Sequence, residues 1–269
     1  MAERRDPLGF RHPRVQQLRR LSGRRAARSE AGAFVIDGPT LLAEALAAGV
    51  EVTDVFATSG ADAQVVAQAR AAGAAVHEVT EDVLARASSA VTPNGVAAVA
   101  RRIERAVDEA VTAAAAGPLA LVLAGVSDPG NAGTLLRAAE AAGASAVLFC
   151  GGSVDPTNPK CVRAAAGALF RLPVAVGGET TAVLEQLRRA GVQTAATVVR
   201  DGRPYDEADL RGPVALVLGP EAHGLPEDVV DAVDLRLTIP MAGPTESLNV
   251  AMAGTVVCFE SLRQRRAAR

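Results

Sequence analysis

Leu119-Ala-Leu-Val-Leu-Ala124 runs without a break into Gly125-Val-Ser-Asp-Pro-Gly-Asn131-Ala-Gly133-Thr-Leu-Leu-Arg137, and this stretch decides the fold. Six apolar residues in a row bury both faces of a strand, as in a parallel strand covered by helices on each side. Gly125, Pro129 and Gly130 then turn the chain, and Ala132–Ala142 carries helical spacing. The pattern recurs downstream. Strand Ala146–Phe149 is followed by helix Thr180–Ala190 with strand Gln193–Val198. Strand Pro213–Leu218 leads to helix Pro226–Ala232, and strand Leu235–Ile239 to helix Ser247–Gln264. Buried strands alternating with helices predict an α/β fold with a mostly parallel C-terminal sheet.

A smaller unit precedes it. Val15, Leu18 and Leu21 sit three apart among arginines, which predicts a short amphipathic helix. Ala33–Ile36, Val52–Ala57, Ala75–Val79 and Gly95–Ala100 read as strands. Leu41–Ala48, capped by Thr40, Ala61–Ala72, and Glu81–Ala87, capped by Thr80, read as helices. The resulting division is a basic arm over 1–30, a small α/β domain over 31–101, a partly helical linker over 102–118 and the larger domain over 119–269.

Composition narrows the function. Hydrophobic residues make up 49 % of the 269, too many for a disordered chain. The longest uncharged run, Ala110–Ser127, is Ala- and Gly-rich and broken by Gly117-Pro118, so it does not read as a membrane span. The first residues mix Arg with acids and hold no apolar core, unlike a secretory signal. Cys150, Cys161 and Cys258, with His12, His77 and His223, show neither metal-ligand nor disulfide spacing, which fits a reducing cytoplasm and no metal.

Charge is uneven. Residues 1–30 hold nine arginines against three acids, although the whole chain is −2. A basic arm on a slightly acidic body is suited to phosphate or to an acidic surface, with Arg14, Arg19, Arg20, Arg24 and Arg25 as its candidate contacts. With no Trp and one Tyr, base stacking on aromatics is disfavoured, and backbone charge must dominate any nucleic-acid binding.

Three loops near strand ends carry the chemistry. In the first, Asn131 can cap the following helix, and Arg137 lies near its start, where free N–H groups suit an anion. The second, Leu218-Gly219-Pro220-Glu221-Ala-His223-Gly224-Leu225, offers the Glu221 carboxylate to loop or ligand N–H groups; His223 reads as an ordinary loop residue. The third, Ile239-Pro240-Met241-Ala-Gly243-Pro-Thr-Glu-Ser247-Leu248-Asn249-Val250, has Ser247 as an N-cap and apolar walls at Ile239, Met241 and Leu248, suited to a flat heterocycle. Each loop alone is equally a capped turn.

Taken in order, N-x-G-x-x-x-R, L-G-P-E-x-x-G-L and I-P-M-x6-S-L-N-V resemble the signature motifs of the SpoU/TrmH family of RNA ribose 2′-O-methyltransferases. The resemblance is strong over 119–260 and looser over 12–100. It takes in Asp155–Pro173, where Ala164-Ala165-Ala166 replaces more polar residues of some members, and it makes Arg163 there, with Arg14, Arg19, Arg20, Arg24 and Arg25 of the arm, candidate RNA contacts. It implies a deep trefoil knot in the C-terminal domain, an N-terminal domain like ribosomal protein L30e, and a homodimer that uses S-adenosylmethionine. By the same resemblance Leu218, Gly219, Ile239, Met241, Ser247 and Leu248 bind the cofactor. Asn131, Arg137, Glu221, Ser247 and Asn249 form the polar catalytic site.

The function so implied is 2′-O-methylation of structured RNA, 23S rRNA before tRNA, either as housekeeping or as self-protection against a ribosome-targeting antibiotic. A catalytically silent RNA-binding protein on the same fold is a second reading. A nucleotide-binding enzyme without RNA is a third, weakened by the missing G-x-G-x-x-G. Arg137 acts either as a base or as a phosphate clamp; a guanidinium stays protonated, which favours the clamp.

Overall fold

The computed structural model describes residues 6–88, 94–220 and 223–268. The chain divides into two compact units, one taking in Met1–Ile103 and Thr157–Phe170, the other Glu104–Pro156 and Arg171–Arg269.

In the first unit α1 (Pro13–Gly23) and α2 (Arg25–Ala31) lead into β1 (Ala33–Asp37), α3 (Pro39–Ala47), β2 (Val52–Ala57), α4 (Ala63–Ala71), β3 (Ala75–Glu78), α5 (Glu81–Ala87) and β4 (Val96–Arg101). The sheet order is β1-β4-β2-β3, with β4 antiparallel to both neighbours and β2 parallel to β3. Thr80 caps α5 as expected, its hydroxyl accepting from Val83 N at 3.3 Å. Thr40 does not cap α3: Gly38, at φ 96°, holds the N-cap position, and Pro39 starts the helix.

Within the stretch 1–30 the described residues from Pro13 on are not a free arm. Val15, Leu18 and Leu21 are buried in one cluster with Val35, Phe56 and Leu84. Its arginines divide by role. Arg28 is buried and donates to Leu21 O at 2.9 Å. Arg14 pairs with Asp54, which also lies 2.9 Å from His77 Nε2. Arg19, Arg20, Arg24 and Arg25 are exposed.

The second unit begins with α6 (Val107–Ala116), which corrects the linker reading of 102–118: Ala110, Val111 and Ala114 enter the core. The chain then runs through β5 (Leu119–Ala124), α7 (Pro129–Ala141), β6 (Ala146–Cys150), then α8 (Pro159–Ala165) and α9 (Ala168–Arg171), which return to the first unit, and β7 (Val174–Val176), α10 (Thr180–Arg189), β8 (Gln193–Thr197), β9 (Arg203–Pro204), β10 (Val214–Leu218), α11 (Glu227–Ala232), β11 (Leu235–Thr238) and α12 (Val250–Ala267). Residues 157–170, inside the range expected for the larger domain, group with the first unit by their contacts. There α8 packs on β1, Arg163 Nη1 donates to the buried Asp37 at 2.9 Å, and the Phe34 and Phe170 rings lie 6.3 Å apart. Arg163, expected on RNA, is thus engaged in an internal ion pair.

The second sheet has the order β7-β6-β5-β10-β8-β11-β9, and every pairing is parallel. β5, β6 and β10 are buried at every residue, as their unbroken apolar runs require. Val183, Leu184 and Leu187 of α10 join α6 in covering one face. α12 packs against α7 and β10 at Gly254, where a Cβ would fall 2.4 Å from Leu135 Cδ2 and 2.8 Å from Leu218 Cδ1. Cys150, Cys161 and Cys258 are buried and form no disulfide among the described residues, and burial pushes the Cys150 and Cys258 thiols up to about 12, which makes those two inert.

Burial acts to raise the Asp54 carboxyl, but hydrogen bonds from His77 and Thr53 and the charges of Arg14 and His77 hold it below its ordinary value. A lowered carboxyl pKa stabilises the fold fully above its unfolded value, about pH 4, and that stabilisation is lost as pH falls through the folded value. Asp54→Asn is therefore expected to cost about 1 kcal/mol at pH 7 in urea unfolding. The deficit should shrink below about pH 4; a deficit independent of pH contradicts this account of Asp54.

Candidate active site

The loops leaving β8, β10 and β11 meet over the start of α12. They line a cleft of about 720 Å³, open mouth included. From the third loop come Ile239, Met241, Ser247 and Leu248, and from the second Gly219, all five expected there from the sequence. Gly219 is required by close approach: a Cβ would lie 2.8 Å from Leu225 N, so only bare backbone fits at this point of the wall. Leu218, also expected at the cofactor, is fully buried at the end of β10 and is not among the lining residues. Among the described lining residues Glu246 alone is ionisable.

The caps differ from expectation, and the difference builds the polar part of the site. Asp128, not Asn131, caps α7: its Oδ1 accepts from Asn131 N at 2.8 Å. Asn249, not Ser247, caps α12, accepting from Ala251 N at 2.9 Å and Met252 N at 3.4 Å. Relieved of capping, the Asn131 side chain accepts from Asn249 Nδ2 at 3.1 Å. The first and third loops are thereby joined by side chains 118 residues apart in sequence. Ser247, freed in the same way, faces the cleft.

Arg137 lies two turns into α7, exposed and without an ion pair to any described residue. Neither it nor the Asn131–Asn249 pair lines the cleft. Glu221, the fifth expected polar residue, lies outside the described residues. Among those described, no group of three or more His, Cys, Asp or Glu is placed to hold a metal, and no helix is long and apolar enough to cross a membrane.

Thr197, Val198 and Val199 also line the cleft and were missed from the sequence. They read as the end of a strand, because the turn signal Asp201-Gly202 comes only after them. Their place became visible only with β8 set between β10 and β11.

The cap assignment is testable by denaturant unfolding. Asn249→Ala should cost about 1 kcal/mol, the usual loss on deleting an N-cap. Asn249→Asp keeps the cap and loses only the amide donor to Asn131, so it should stay within about 0.5 kcal/mol of wild type. Equal losses contradict the assignment.

Comparison with known proteins places the chain among RNA methyltransferases. Residues 118–259 match the SpoU rRNA Methylase family, and residues 12–98 match the MRM3-like substrate binding domain. An uncharacterized tRNA/rRNA methyltransferase of Synechocystis is 34 % identical over 96 % of this chain and 93 % of its own. The 23S rRNA (guanosine(2553)-2′-O)-methyltransferase RlmP of Bacillus subtilis is 31 % identical over 86 % of this chain and 89 % of its own. The AdoMet-bound rRNA methyltransferase of Sinorhizobium meliloti superposes with a TM-score of 0.85 at 30 % identity, covering 96 % of this chain and 97 % of that one. The chain belongs to the SpoU rRNA methylase family.

Proposed function

We infer that this chain transfers the methyl group of S-adenosylmethionine to a ribose 2′-hydroxyl of 23S rRNA. The observation that carries this reading is the cleft at the carboxyl ends of β8, β10 and β11, formed by two of the three family motifs, with the Asn131–Asn249 hydrogen bond tying the first motif to the third. In parallel α/β sheets this edge is where ligands bind. The cleft fits the cofactor chemically. Ile239, Met241 and Leu248 offer apolar walls to a purine, exposed loop backbone offers donors and acceptors to its rim, and Glu246 offers a negative charge to a sulfonium.

When bound, S-adenosylmethionine supplies an electrophilic methyl group. Orientation of the hydroxyl and removal of its proton fall to the protein and the RNA. Arg137, exposed and permanently charged, clamps a phosphate beside the target ribose and so orients the hydroxyl. A phosphate oxygen or water then takes the proton. Asn131, Ser247 and Asn249 position the ribose, with Glu221 as the fifth polar member.

Ribosomal RNA is favoured over tRNA by the first unit. The match to RlmP spans 86 % of this chain, whereas a solved structure concerned with 2-OH methylation of C/U34 on tRNA covers only 57 % of it. The exposed Arg19, Arg20, Arg24 and Arg25 suit RNA phosphates. The finer reading adds an L30e-like fold for the first unit, a deep trefoil knot in the second and a cytoplasmic homodimer. Met252 and Phe259, exposed at 62 % and 45 % on α12, support the dimer: they offer a second copy an apolar face.

Mass mapping of ribose methylation in 23S rRNA from strains with and without the gene tests the substrate, one methyl group being lost from the 23S rRNA of the deletion strain. Arg137→Ala should lower turnover by about 100-fold or more, as expected when an orienting group is lost. S-adenosylmethionine affinity should not change. An unchanged rate removes Arg137 from the mechanism.

A further inference from the structure

The cleft carries one charge among its described lining residues. Around Glu246 the wall is apolar side chains, glycine and the hydroxyls of Thr197 and Ser247. Glu246 is exposed and forms no ion pair with a described residue. As the one carboxylate among the described lining residues, it lends the cleft a negative potential, screened by the solvent that reaches it.

The donor and its product differ in one respect that such a potential can sense. Transfer breaks the S–CH3 bond and forms the O–CH3 bond. The bonding pair stays on sulfur, and the hydroxyl proton leaves to a phosphate oxygen or water. The sulfonium becomes a neutral thioether, while the adenosine, the α-ammonium and the α-carboxylate are unchanged.

We propose that Glu246 is the charge-selective element of the cleft, favouring the cationic methyl donor over its neutral demethylated product. This rests on reading the cleft as the S-adenosylmethionine site. Glu246 thereby aids exchange of spent product for fresh donor after each turnover. A carboxylate aimed at the α-ammonium, which both molecules share, would strengthen both alike.

Titration calorimetry of the full chain with S-adenosylmethionine and with S-adenosylhomocysteine separates the cases. Glu246→Gln should weaken the donor roughly three- to tenfold and the product less than about twofold, collapsing their affinity ratio. Glu246→Asp should fall between. Raising salt from about 0.05 to 0.5 M should lower the donor-to-product ratio in the wild type and leave it flat in Glu246→Gln. Equal weakening of both ligands, or of neither, overturns the proposal. Binding of neither ligand by the wild type overturns the assignment of the cleft, a distinct result.

Discussion

Every strand of the second sheet points the same way, so each delivers its following loop to one edge. That constraint comes from sequence: β5, β6 and β10 are apolar on both faces and can exist only with helices above and below. Given it, the position of the site depends on strand order alone. β8 separates β10 from β11, so the loops after three adjacent strands enclose one cleft. Gly254 lets α12 approach α7 and β10 closely, in the same pair of helices that brings Asn249 within 3.1 Å of Asn131.

Arginine serves two purposes in this chain, and pairing with a carbonyl or carboxylate of the first unit separates them. Arg28, Arg14 and Arg163 hold the first unit together through a backbone carbonyl, Asp54 and Asp37. Arg19, Arg20, Arg24, Arg25 and Arg137 remain exposed. A basic stretch in sequence therefore overstates the charge available to a partner: Arg14 and Arg163 are each matched by an aspartate, one of them distant in the chain. Net charge gives no sign of this, because pairing is a property of the fold.

The alternation of buried strands and helices was legible from residue order, and so were both units and five of the cleft residues. Periodicity and apolar runs are local signals. Boundaries set by longer-range packing were not legible. Residues 157–170 join the first unit because α8 packs on β1 and Arg163 meets Asp37, 126 positions away. The stretch 102–118 looked like a linker because Ala-rich sequence is ambiguous until Ala110 and Ala114 are seen in a core. Both misread caps had a stronger competitor beside them. Asp128 and Asn249 stand where their side chains reach the first free N–H groups, which left Asn131 and Ser247 for the site.

Hydrogen exchange of the full chain with and without S-adenosylmethionine tests the central claim, that the ends of β8, β10 and β11 together form the donor site. Slower exchange is predicted at Val198 and Val199, around Gly219 and Leu225, and from Ile239 to Ala253, with little change in α1 to α5. Protection confined to other segments, or to only one of these three loops, would contradict the account.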